Sequence, residues 1–280
     1  MKIRKPAVAG KFYPEDKNEL KKLINSIYLK EKKNIDLSLS KYKIIGGVVP
    51  HAGYIFSAYE AVHFFDIIKN TPLQYDTIII INPNHSGYGY DIDLDSNDLW
   101  ETPFGNVSLD TEFMSELPFS TSEEAHKYEH SGEVMLPLLQ YFLDYEFKII
   151  PITMSHQNYE NAKRLADGIY NANLKLNRNI LIIASSDFSH YVEPEKGKYL
   201  DNFVLDNILK LDSEAINQTV YEKHLSVCGY GPIMSLIEYS KLVSKKPQAK
   251  ILRRGNSGEV IPSNEVVDYV SMLFYEEVHV

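Results

Sequence analysis

The chain has 280 residues, an apolar share of 44%, a charged share of 24% and a formal net charge of −9. These are the values of an ordinary globular protein, long enough to bury a core without disulfides, and the acidic excess argues against a nucleic-acid surface. A lone cysteine, Cys228, excludes an intrachain disulfide; no apolar run is long enough to span a bilayer, and the basic Met1–Pro6 has no apolar stretch behind it, so no signal peptide is expected and the expected location is cytoplasmic.

Pro6 to Pro14 is an apolar patch bounded by prolines and reads as an ordered arm. Leu20, Leu23, Ile24 and Ile27 fall at helical spacing among lysines, which predicts an amphipathic helix over 15–33. A polar loop over 34–41 leads to a strand ending at Val49, with Gly46 and Gly47 allowing close backbone approach. A helix over 56–69 and a strand over 76–81 follow. Residues 82–106, rich in Gly, Asn, Asp and Pro, read as one long functional loop. Asp110 looks like the N-cap of a short helix, and Glu129-His130-Ser131-Gly132-Glu133 looks like the opening of another. A strand over 147–153, a helix over 158–171 and a strand over 179–184 come next. Two or three helices over 195–239 and strands at 250–252 and 266–275, joined by a turn at 256–259, complete the chain. Strands and helices alternate without a convincing linker. The expected fold is therefore a single-domain three-layer α/β/α sandwich, residues 1–280, around a mixed, largely parallel sheet.

Three apolar runs end in the same way. Val49 leads to Pro50-His51-Ala52-Gly53-Tyr54, Ile81 to Asn82-Pro83-Asn84-His85-Ser86-Gly87, and Ala184 to Ser185-Ser186-Asp187-Phe188-Ser189-His190. Open α/β sheets bind ligands just past the carboxyl ends of strands, so three exits that each carry a histidine point to one site. For any one of these histidines alone, a ring hydrogen-bonded within its loop is the simpler reading. If a helical turn follows the strand, Asp187 and His190 share a face, and a carboxylate there either orients the imidazole or works with it as acid and base. Cys228 precedes Gly229-Tyr230-Gly231-Pro232 and an apolar run, which places it at a helix N-terminus where the dipole favours a thiolate. Such a thiolate is a metal ligand or a nucleophile, and with two histidines it would leave coordination positions open. His130 and Glu133 lie one turn apart without forming a zinc motif. His63, His126, His156, His224 and His279 read as structural or surface residues.

Arg4-Lys5-Pro6-Ala7-Val8-Ala9-Gly10-Lys11-Phe12-Tyr13-Pro14, Pro50 to Tyr54, Pro83-Asn84-His85, Glu129 to Glu133, Ser185 to His190 and Cys228-Gly229 together resemble the Memo family in order and spacing. That family is similar in fold to the class III extradiol (LigB-like) dioxygenases, which use non-haem Fe(II). The resemblance implies a metal site of His51, His85 and Cys228, with Asp187 and His190 as the catalytic side of the same pocket and Tyr54, His130 and Glu133 lining it. It also implies Fe(II), with copper or zinc as alternatives, and association with a radical-SAM protein and an AMMECR-type protein. The dioxygenases complete their triad with a carboxylate where this chain has Cys228. Arg254 also departs from the family pattern, standing where many prokaryotic members carry an aromatic residue.

The leading expectation is a metal-dependent redox enzyme acting on a small molecule, with His190, oriented by Asp187, moving protons. Two alternatives stand beside it. One is a cleft that binds a peptide or protein partner through its histidines. The other is a hydrolase that uses metal or the Cys228 thiol, with His190 as base.

Overall fold

The computed structural model describes residues 1–279 of the chain, the side chain of His279 lying outside the described part. The arm begins with β1 (Ile3–Arg4) and leads to α1 (Lys17–Glu31), whose first amides Asp16 caps, then to β2 (Tyr42–Val49) and α2 (Tyr54–Lys69). Next come β3 (Thr77–Pro83), β4 (Ile92–Leu94), β5 (Leu99–Thr102), β6 (Gly105–Ser108), α3 (Thr111–Ser115), β7 (Ser120–Thr121) and α4 (Glu123–Lys127). Then follow α5 (Met135–Phe142), β8 (Lys148–Met154), α6 (Tyr159–Leu176), β9 (Ile180–Ser185) and β10 (His190–Val192). The last elements are α7 (Pro194–Leu209), α8 (Ser213–Lys223), α9 (Tyr230–Val243), β11 (Pro247–Asn256) and β12 (Val266–His279).

Nine strands form one mixed sheet in the order β10-β12-β2-β9-β3-β8-β4-β7, with β11 also paired to β12. The central four, β2, β9, β3 and β8, run parallel, and antiparallel neighbours close both sides. Ile78 to Ile81, Leu181 to Ala184 and Ile149 to Ile152 are buried, as strands covered on both faces must be. Helices α1, α2 and α5 pack together in one layer; α6, α8 and α9 pack together in another, with α9 against β2, β3 and β9. Gly46 makes that contact close, since a Cβ there would strike the Ile182 carbonyl and the Leu236 side chain.

The order of the central strands positions the site. Val49 pairs with Ser185, and Ile81 with Ala184, so three adjacent parallel strands finish level with one another. Their exits carry His51, Asp187 and His85.

Several segments differ from the sequence reading. Residues 82–106 are not one loop. Ile92–Leu94 pairs antiparallel with β8, and Leu99–Thr102 forms a hairpin with Gly105–Ser108 in a second small sheet with β1. Its Gly, Pro and Asn residues mark tight turns, with Gly105 at φ 121°, rather than an absence of strand. The Glu129–Glu133 segment is a set of turns, and α5 starts only at Met135. No helical turn joins Asp187 to His190, because the chain passes directly into β10 and pairs with β12. Helix α6 runs to Leu176, and β11 and β12 are longer than expected, since each is supported by its neighbour over most of its length.

Candidate metal centre

His51 leaves β2 and is 2% exposed. Its backbone amide donates to Asp187 Oδ1 at 2.8 Å, which ties the exits of β2 and β9 together. Its Nδ1 lies 2.7 Å from Ser185 Oγ, and Ser185 spends its one hydroxyl proton on the Ser131 carbonyl at 2.8 Å. Ser185 must then accept from His51, so Nδ1 carries the ring proton and Nε2 presents a lone pair. That Nε2 faces Cys228 Sγ at 3.3 Å. Glycine makes the approach of Cys228 feasible: a Cβ on Gly229 would fall onto the Ser185 carbonyl oxygen. The Asp187 amide donates to Cys228 Sγ at 3.3 Å, and the Cys228 amide returns a bond to the Asp187 carbonyl at 3.3 Å.

His85 is oriented from the other side. Its Nδ1 lies 3.0 Å from Glu129 Oε1, and its amide donates to Glu129 Oε2 at 2.6 Å. A carboxylate accepts, so Nδ1 bears the proton here too and Nε2 is left free. The ligand atoms of His51, His85 and Cys228 lie within 4.8 Å of one another. Donors bound at ~2.0–2.3 Å to one tetrahedral ion sit roughly 3.3–3.6 Å apart. The His51–Cys228 pair already meets that spacing, and side-chain shifts of about 1 Å would bring in the third. Two imidazole nitrogens and a sulfur form a donor set suited to iron, copper or zinc.

His85, Glu129 and His130 form a second group within the same 4.8 Å limit. Glu129 is already committed, however. Its carboxylate accepts from the His85 amide and Nδ1, the amides of His130 and Ser131, and the Ser131 hydroxyl at 2.7 Å. It acts as the bracket that holds His85. Sequence reading left Glu129 out of the site because it pairs with a residue 44 positions away, and no spacing rule links the two. Ser185 stands out in the sequence only as part of its motif; the signal that marks it is a hydroxyl in register with the end of β2.

The charges follow from burial. Desolvation, with the neighbouring His130 and His85, holds the His51 imidazole well below its ordinary value. Burial opposes a charge on His85, but its hydrogen bond and attraction to Glu129 outweigh that and raise it. Burial pushes the Asp187 carboxyl up to about 7. It also pushes the Cys228 thiol up, against the helix-dipole expectation of a thiolate. In the chain alone, Cys228 and His51 are a neutral thiol beside a neutral imidazole. A bound cation would supply what the dipole does not.

The remaining expected residues are spread more widely. His130 stands at the mouth, its ring centroid 4.8 Å from His85, 5.4 Å from His51 and 4.7 Å from Phe12 of the arm. His190 is only partly buried, and its Nδ1 lies 2.9 Å from the Ser226 carbonyl, so Ser226 orients it where Asp187 was expected to. Cys228 therefore has His51, not His190, as its imidazole neighbour. Tyr54 lies behind the wall, its hydroxyl donating to the Val134 carbonyl at 2.5 Å. Glu133 faces the arm: it pairs with Arg4 at 2.7 Å and accepts from the amides of Ala7 and Val8 and from the Tyr13 hydroxyl. Arg4 in turn donates to the carbonyls of His126 and Glu129 at 2.7 and 2.6 Å, linking the arm to the segment that brackets His85. Arg254 binds Asp201 at 3.0 Å and donates to Asn202 and the Lys198 carbonyl. Among the other histidines, His63 and His126 are buried and His156 and His224 exposed.

Known proteins are similar to this chain along nearly its whole length. A MEMO1 family protein of Methanococcoides burtonii is 38% identical over 274 residues, covering 97% of this chain and 99% of its own. Similar proteins from Archaeoglobus fulgidus and Sulfolobus acidocaldarius are 37% and 38% identical, each again covering 97% of this chain and 99% of its own. A crystal structure of the uncharacterized protein JW3007 from Escherichia coli K12 aligns with a TM-score of 0.44 and 13% identity, over 74% of this chain and 90% of that one. No helix among the described residues is long and apolar enough to cross a membrane. The family model for Memo-like proteins matches residues 4–273, and the chain belongs to that family.

Proposed function

We propose that this Memo-family chain is a metal-dependent redox enzyme that holds iron or copper between His51, His85 and Cys228 and acts on a small substrate. One observation carries the reading: the Nδ1 atoms of His51 and His85 are committed to Ser185 and Glu129, so in the neutral rings, the form a metal ion binds, Nε2 is the nitrogen left to join the Cys228 sulfur. Ligand histidines are oriented this way by partners on their other nitrogen. Held by His51, His85 and Cys228, an iron or copper ion would supply redox chemistry to the substrate.

The chain's own groups do the rest. Asp187 holds the His51 backbone in place and closes the inner wall. His190, its Nδ1 proton fixed on the Ser226 carbonyl, presents Nε2 as the base that moves a proton at the rim. Metal analysis of protein purified without chelator, wild type beside Cys228→Ala, tests the reading. A near-stoichiometric metal in the wild type that disappears in the variant supports it; equal, negligible metal in both overturns it.

Exposed tyrosines favour a second reading, in which the same mouth receives a peptide or protein partner. Tyr128 precedes Glu129, Tyr191 follows His190, and Tyr88 and Tyr90 follow His85, at 66%, 74%, 56% and 64% exposure. The proteins to try first are a radical-SAM and an AMMECR-type protein. Capture of either that survives His51→Ala and full metal removal would favour this reading; loss of capture in both tests would tie partner binding to the metal.

A further inference from the structure

A cavity of about 990 Å³ opens at the end of the sheet opposite the histidines. Its floor includes Thr77 and Lys148, the paired first residues of β3 and β8. None of its lining residues belongs to the candidate metal centre. Small-molecule sites run to about 300–1,000 Å³, so its size suits a ligand.

The lining runs against the charge of the chain. In a protein of net charge −9, the cations Lys17, Lys21, Lys69, Lys148 and Arg178 outnumber the carboxylates Asp76, Asp110 and Glu146. Two of those carboxylates are already engaged. Asp76 accepts from the Asn179 amide at 2.7 Å, and Asp110 from the Thr77 hydroxyl and the Phe113 amide. Among the described residues, none of the four lysines makes an ion pair or a side-chain hydrogen bond. They come from α1, the end of α2 and the start of β8, so separate elements turn positive charge held in no close ion pair toward one space, with Asp66 attracting Lys69 from farther off. Arg178 is already paired with Glu112 through its guanidinium, and what it adds is a buried Nε without an acceptor, 3.8 Å from Asp110.

Flat surfaces complete the lining. The hydroxyls of Tyr28 and Tyr141 are occupied elsewhere, by Asp66 and Asn25, and Tyr145 accepts from the Tyr75 amide. What these side chains offer the cavity is ring surface. Cations and rings in one concavity suit a ligand with an anionic group and a planar part.

We propose that this cavity is a second binding site, separate from the metal centre, for a small anionic molecule carrying a flat ring, of the class of a mononucleotide. Titrating AMP, adenosine and inorganic phosphate into the intact chain by calorimetry tests it. AMP is expected to bind about tenfold tighter than either fragment and to weaken as salt rises. Lys17→Ala/Lys21→Ala, on exposed positions of α1, should weaken AMP by about tenfold, while His51→Ala changes it less than about twofold. AMP binding no tighter than adenosine or phosphate would overturn the proposal. So would AMP affinity unchanged in the lysine variant, or loss of binding in His51→Ala.

Discussion

The two walls of the candidate centre are built on opposite plans. The inner wall, from the ends of β2 and β9 and the start of α9, is nearly dry: His51 is 2% exposed, Asp187 4%, and their contacts run through backbone amides. The outer wall, from the end of β3 and the 129–131 turns, keeps the His85 side chain 38% exposed and His130 22%. The inner wall suits fixed donors, because sheet register sets their geometry. The outer wall suits exchange, because its histidine is held by one carboxylate and remains open to solvent. The first depends on the sheet, the second on Glu129 and on whatever holds Glu129.

Arg4 holds that segment, so removing it should disturb the outer wall most. Its guanidinium is buried against Glu133 and the carbonyls of His126 and Glu129, and lies 4.1 Å from the Trp100 ring. Arg4→Met leaves Glu133 buried without its cation, which typically costs about 3–5 kcal/mol. Urea unfolding should show a loss of that size, and metal content should fall with it. A loss below about 1 kcal/mol would mean that the amides and the Tyr13 hydroxyl satisfy Glu133 by themselves.

A smaller and more local effect comes from the brackets themselves. Glu129→Gln keeps the shape but removes the charge that fixes the His85 tautomer, so metal affinity should fall by about 10–100-fold. Ser185→Ala takes a neutral acceptor from His51, whose ring the dry wall still confines, and should cost less, about tenfold or below. Competition with a calibrated chelator measures both. If Ser185→Ala were the more damaging, the contrast between a confined and a bracketed histidine would be wrong.

That contrast explains what could be read from the residues. The exits at His51, His85 and Asp187 were legible because each follows an uninterrupted apolar run, and three such runs in an alternating chain predict adjacent parallel strands. Cys228 was legible from Gly229, Gly231 and Pro232, which place it just ahead of a helix. The brackets were not, since Glu129 and Ser185 act through contacts that only the assembled sheet creates. His190 shows the same limit: a spacing of three suggested an Asp187 partnership, but strand pairing with β12 turned the ring to Ser226. The hairpin within 82–106 was hidden because its turn residues outweigh its short strands.

The inner wall has a brace of its own, and its signature is pH dependence. The Asp268 backbone accepts from the Phe188 amide and donates to the Ser189 carbonyl, while buried Asp201 takes both the Ser189 amide and hydroxyl. Arg254 is the cation paired with Asp201, and burial followed by the Asp201 charge raises the Asp268 carboxyl to about 8. Folded Asp268 therefore keeps a proton that the unfolded chain has lost above its ordinary value of 3.8. Where the unfolded state binds fewer protons, stability falls as pH rises. The contribution of this group should thus decline between about pH 4 and about pH 8, by on the order of 1 kcal/mol per pH unit, and level off outside that window. Asp268→Asn has no such proton to keep. Its urea-unfolding free energy should gain on the wild type with each step from pH 5 to pH 8, whatever the other buried carboxyls contribute to both proteins. Parallel curves would show that Asp201 and Arg254 brace the wall without Asp268 holding a proton.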